Sequence, residues 1–128
     1  MVVSISSHAI APAAVLRGEG AWQAALGKIS SLCSRPLLLG RSRATSSLRE
    51  GLARDLAEAG LNPVSTVLQF DCCEEDLQRL ASEAAGCDAV LAAGGGKVLD
   101  AGKLLAHRLG LPCITVPLSA ATLSLIHI

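Results

Sequence analysis

Aromatic side chains are nearly missing from this 128-residue chain: Trp22 and Phe70 are the only two, and there is no tyrosine. A surface that grips single-stranded nucleic acid by stacking bases needs several such rings, which excludes that class. An excess of charge is missing as well. Eleven basic and eleven acidic residues are spread along the chain, so no basic stripe is left for a duplex or a membrane surface. The five cysteines (Cys33, Cys72, Cys73, Cys87 and Cys113) are odd in number and contain no C-x-x-C pair. That pattern argues for reduced thiols in a cytoplasmic protein and against a disulfide framework or zinc knuckle. Residues 1–5 lack the charged and apolar regions of a signal peptide, and no apolar run reaches bilayer-spanning length.

What is abundant is aliphatic. Hydrophobic residues make up 51% of the chain and charged residues 17%, as expected of an α/β interior whose strands are covered on both faces. The length suits one domain. Residues 2–10 are β-prone and read as an edge strand. Residues 21–33 read as a helix, with Trp22, Ala25, Leu26, Ile29 and Leu32 on one buried stripe. Residues 35–40 form a continuous apolar run ended by Gly40, hence a buried strand. Ser47 and Glu50 have capping-box spacing and predict a helix start, with Leu48, Leu52 and Leu56 inward, Arg49 and Asp55 on the solvated side, and Gly60 at its end. Residues 64–70 alternate as a strand. Asp71 and Glu74 repeat the capping spacing before a helix that buries Leu77, Leu80, Ala81 and Ala84.

The stretch that organises the rest follows Asp88. Residues 89–93 are uncharged and apolar, then Gly94, Gly95 and Gly96 turn the chain into a helix carrying Val98, Gly102, Leu105 and Leu109 at helical spacing. Glycines let an external group approach the backbone, and a helix N-terminus favours a phosphate. Two common phosphate motifs are nonetheless excluded. A Walker A loop would need glycine and Ser/Thr where Leu91 and Val98 stand, and the third glycine of a Rossmann fingerprint would fall on Leu99. Three glycines after a strand also suit a plain tight turn. A last strand spans residues 113–116 and stops at Pro117. Strand and helix alternate at least three times, which predicts a doubly wound, Rossmann-like parallel sheet with ligands beyond the carboxyl ends of its strands.

The run from Gly94 to Lys103 (GGGKVLDAGK) and that from Leu111 to Thr122 (LPCITVPLSAAT) together resemble the glycerol dehydrogenase branch of the iron-containing (group III) alcohol dehydrogenases. That family's pattern is GGGKxxDxxK, a helix, then a strand ending in V-P-T-x-A-[SG]-T. The resemblance implies the dinucleotide-binding domain of a dehydroquinate synthase-like fold over residues 1–122. It also implies NAD or NADP as cofactor, a divalent metal (zinc or iron) and a small alcohol or polyol substrate in the full-length parent, and homo-oligomers of that parent. Gly94, Gly95 and Gly96 would hold the pyrophosphate with backbone N–H groups, Asp100 would help order the nicotinamide half, Thr122 would hydrogen-bond the cofactor, and Lys97 would contact it. Asp100 also suits the positive helix end on its own account.

Three departures sharpen the expectation. Leu118 replaces the usual threonine and is carried over as a contact by position only. Arg41 stands where relatives often place an acid for the adenine ribose, and with Arg43 nearby it suits a 2′-phosphate, hence NADP; two solvated loop arginines are the plain alternative. The metal-binding helical domain has no counterpart, and His8, His107 and His127 lack metal-ligand spacing. No catalytic or metal residue is therefore assigned. Residues 123–128 leave the family pattern and read as a tail from a truncated frame or junction. A non-catalytic nucleotide-binding module, a glycerol-1-phosphate dehydrogenase and a dehydroquinate synthase-like lyase are the alternatives; Leu99 before Asp100 disfavours the last.

Overall fold

Uncharged aliphatic runs become inner strands, and the amphipathic stretches between them become the helices that cover those strands. The computed structural model describes residues 15–17, 20–41, 43–69, 73–118 and 125–127. In chain order they form β1 (Val15–Arg17), α1 (Ala21–Leu32), β2 (Pro36–Gly40), a 3-10 turn (Arg43–Thr45), α2 (Ser46–Glu58), β3 (Val64–Val67), α3 (Glu74–Glu83), β4 (Ala89–Gly94), α4 (Gly96–Leu109), β5 (Cys113–Pro117) and β6 (Leu125–His127). The sheet order is β1-β6-β5-β4-β2-β3. Strands β5, β4, β2 and β3 are mutually parallel, whereas β6 runs antiparallel to both β5 and β1. The strand expected over residues 2–10 lies outside the described residues.

Side-chain alternation along the strands divides the interior in two. On one face Trp22, Ala25 and Ile29 of α1 and Leu52 and Leu56 of α2 pack on Leu38, Leu91, Ala93 and Ile114. On the other, Leu77 and Leu80 of α3 and Val98, Ala101 and Leu105 of α4 pack on Leu37, Leu39, Val90 and Ala92. The register explains the match, since Leu37 lies opposite Val90 and Leu39 opposite Ala92. Helices on both faces of a parallel sheet make the fold α/β, Rossmann-like and doubly wound.

Gly102 sets how close α4 lies. A Cβ there would fall 2.5 Å from Ala92 Cβ, so the helix rests on β4 through a position that tolerates hydrogen alone. Gly110, with φ of 68°, ends α4 in the left-handed region, and the N–H of Leu111 returns to the Ala106 carbonyl.

Several local expectations change. The helix expected from Ser47 begins at Ser46, and its N-cap, Thr45, makes no side-chain capping bond. Glu50 therefore completes no capping box. The Ser46 hydroxyl donates instead to the Arg43 carbonyl at 2.9 Å, closing the 3-10 turn. Strand β3 ends at Val67 rather than near Phe70; Phe70 and Asp71 are outside the described residues. Asp55, expected on the solvated side of α2, accepts the Trp22 indole N–H at 2.8 Å and so ties α2 to α1. Residues 125–127 of the segment set apart as a tail are hydrogen-bonded into the sheet as β6.

The β3 edge is closed by α3. Because the Leu68 N–H donates inward to the Gly40 carbonyl, the backbone groups of Val67 and Gln69 face outward in a parallel ladder. The Val67 carbonyl accepts from Arg79 at 2.7 Å, and the Gln69 N–H donates to Asp76 at 3.1 Å. Asp76 is 1% exposed; it takes both Nε and Nη2 of Arg79, whose Nη1 reaches Glu83. Glu83 in turn accepts from the Thr66 hydroxyl.

Candidate functional site

Two adjacent strands send their chains to opposite faces. From β2 the chain passes to α2 and on to β3, and from β4 it passes to α4 on the other face and on to β5. The carboxyl ends of β2 and β4 therefore flank the topological switch point, where doubly wound sheets open a crevice. A cleft of about 260 Å³ lies there. Arg41 and Thr45 form its β2 side, and the segment from Gly94 to Val98 forms its β4 side.

The β4 wall is mostly backbone. Gly94 has φ of 155°, and a Cβ on it would press on Val98 at 3.3 Å. Gly95 is the N-cap of α4 and supplies no side-chain cap, while the N–H of Leu99 closes the first helical turn on its carbonyl. The preceding N–H groups of that turn have no acceptor within the helix. No acidic residue occupies this turn. A Cβ on Gly95 or Gly96 would meet nothing within 4 Å, so a shell of open space lies over the helix end. Arg41 and Lys97 add positive charge, and no acidic side chain lines the cleft. A positively biased pocket with backbone donors fits a phosphate-bearing ligand.

The structure thus gathers five expected residues: Arg41, Gly94, Gly95, Gly96 and Lys97. Asp100 is on the exposed surface of α4 and Leu118 is buried among the α1-side core residues, its N–H donating to the Gly94 carbonyl at 3.1 Å. Neither lines the cleft. Thr122 lies outside the described residues. Arg43 is exposed in the 3-10 turn.

Sequence reasoning missed Thr45 and the residue behind it. Arg49 is half-buried rather than solvated, and its Nη1 donates to Thr45 Oγ1 at 2.5 Å. Burial lowers the Arg49 pKa, with Glu50 opposing. Its side chain lies across Gly40, where a Cβ would overlap its Cδ and Nε. The available signal was Gly40 itself, a glycine ending a strand with no positive φ to require it.

Desolvation pushes the thiols of Cys33 and Cys113 up to about 11, and the four described cysteines are unbridged. Among the described residues no three His, Cys, Asp or Glu side chains converge as a metal site, and no helix is long and apolar enough to cross a membrane.

A doubly wound sheet with a glycine-lined, cationic cleft at its switch point defines an α/β domain of the Rossmann-like class. The iron-containing alcohol dehydrogenase family model matches residues 12–126, and the chain belongs to that family. Among curated proteins it is 33% identical over 93 residues to a glycolaldehyde reductase of Halobacterium salinarum, covering 71% of this chain and 26% of that one. It is 31% identical over 96 residues to a glycerol dehydrogenase of Escherichia coli O6:H1, covering 73% and 26%. Its fold matches the crystal structure of glycerol dehydrogenase from Schizosaccharomyces pombe with a TM-score of 0.72 and 19% identity, covering 80% of this chain and 26% of that one. The chain spans about a quarter of the length of these relatives.

Proposed function

We propose that this chain is the dinucleotide-binding part of an NAD(P)-dependent alcohol or polyol dehydrogenase. The observation that carries the reading is the switch-point cleft, whose β4 wall offers an uncapped helix end and open space above two glycines. A dinucleotide pyrophosphate fits that wall. The first-turn N–H groups of α4 and the Lys97 charge would hold it, while Arg41 would meet a 2′-phosphate on the adenosine side. By family position Asp100 is assigned to the nicotinamide half, Thr122 to a hydrogen bond with the cofactor and Leu118 to a contact with it. The bound nicotinamide would supply the hydride acceptor or donor. The family's metal has no fitting donor set among the described residues, so no step is routed through it.

Titrating this chain with NADPH and NADH, followed by nicotinamide fluorescence, tests the reading. Binding of both, with NADPH the tighter, is expected from Arg41. Equal or weaker binding of NADPH would refute its role, and binding of neither would refute the dinucleotide assignment. Residues 1–128 are expected to give no turnover with any alcohol; metal-stimulated reduction of NAD or NADP by this chain would overturn that.

A further inference from the structure

Arg49 is placed where it can shape the cleft without entering it. It rises from α2, the helix that β2 feeds, and lies back across Gly40, the last residue of that strand. Arg41, the next residue, lines the cleft, and so does Thr45, the residue whose hydroxyl accepts from Arg49 Nη1. One guanidinium therefore bridges the strand end and the 3-10 turn that together form the β2 wall. Because a guanidinium only donates, the Thr45 oxygen is its acceptor, which leaves the hydroxyl its own proton to donate and a second lone pair. Gly40 provides the seat: its φ is not in the left-handed region, so what it contributes is the space a side chain would fill.

Resting on the dinucleotide reading, we propose that Arg49, seated on Gly40, is a positioning residue that fixes Thr45 and the 3-10 turn as the wall facing the ligand's adenosine side. Three substitutions then attack one device from different ends. Gly40→Ala evicts the arginine while leaving both bonding partners in the sequence. Arg49→Ala removes the donor, and Thr45→Val removes the acceptor.

The experiment is a set of NADPH titrations of the full chain and these variants, with hydrogen exchange of residues 43–50 measured on the same samples. Each single variant is expected to weaken binding about fivefold, the net worth of one ordinary hydrogen bond, since the clamp acts on the ligand only through the wall it holds. The Gly40→Ala/Thr45→Val double variant should be no weaker than either single, because both break the same link. Thr45→Ser should retain affinity in the native background. General destabilisation would instead multiply the two single losses in the double variant. Affinity within twofold of native in Gly40→Ala and Arg49→Ala, or multiplicative losses in the double variant, would overturn the proposal.

If the native chain binds neither dinucleotide, the functional reading fails, and exchange alone judges the clamp. Faster exchange of residues 43–50 in Gly40→Ala and Arg49→Ala supports it; unchanged exchange overturns it.

Discussion

Helices α3 and α4 pack on the same face of the sheet, yet they are held by opposite means. α3 places Glu74, Glu75 and Asp76 in its first turn, neutralising its own positive end, and it grips the β3 edge through the Asp76–Arg79 pair. α4 has no acid in its first turn and settles on β4 through Gly102, with hydrogen where others carry a Cβ. Neither helix has a side-chain cap, but three acids offset the positive end of α3, whereas the first turn of α4 has none to oppose an outside anion. Charge can serve anchoring or binding at a helix end, and here the two tasks fall to different helices.

Removing the charged anchor is expected to have the largest effect. Asp76→Ala strips the buried partner from Arg79 and from the Gln69 N–H, and should cost about 3 kcal/mol of unfolding free energy in urea. Dinucleotide affinity of the protein still folded should be unchanged. Giving α4 the acid that α3 already has comes next. Gly96→Asp should weaken NADPH binding about a hundredfold by placing like charge in the cleft, while its melting temperature holds or rises because an acid suits that helix end. A melting temperature that falls along with binding would mean that α4 and α3 do not differ in the way described.

Denying α4 its close contact is the third step. Gly102→Ala should destabilise by about 1–3 kcal/mol, since the Ala92 Cβ it meets is fixed to the sheet. The smallest effect is expected at Glu74, where the bond from Arg108 at 2.6 Å holds the carboxyl below its usual range against slight desolvation. Its folded pKa is depressed, so its contribution is present above the unfolded value near 4.5 and is lost as pH falls through the folded one. The native melting temperature should therefore fall more steeply below about pH 4.5 than that of Arg108→Ala; equal slopes would remove Glu74 from the comparison.

The sequence disclosed most of what depends on near neighbours. The α1 stripe as far as Ile29, the apolar runs of β2 and β4 and the glycine turn all follow from spacing and stand where expected; Leu32, expected at the end of that stripe, is 42% exposed because the helix ends there, beyond the sheet-facing turns. Pairings distant in sequence were hidden. Asp55 looked solvated because its partner, Trp22, is on another helix, and Arg49 looked solvated because its seat, Gly40, is on the preceding strand. The false capping box has the same cause: Ser47 and Glu50 have the right spacing, but the Ser46 and Thr45 hydroxyls had already joined the 3-10 turn and Arg49. In the cleft, glycines and cations were legible because chemistry and position coincide. Thr45 was not, because its place depends on the clamp behind it.

The closed β3 edge also bears on how the chain meets other chains. A foreign strand running past the carboxyl end of β3 would seek the Val67 carbonyl and the Gln69 N–H, and both are already taken by Arg79 and Asp76. It would have to displace a buried carboxylate before gaining either, a barrier of about 3 kcal/mol or more. An edge sealed in this way at its carboxyl end offers templated stacking of copies, the first step of fibrous aggregation, a shortened row of donors and acceptors.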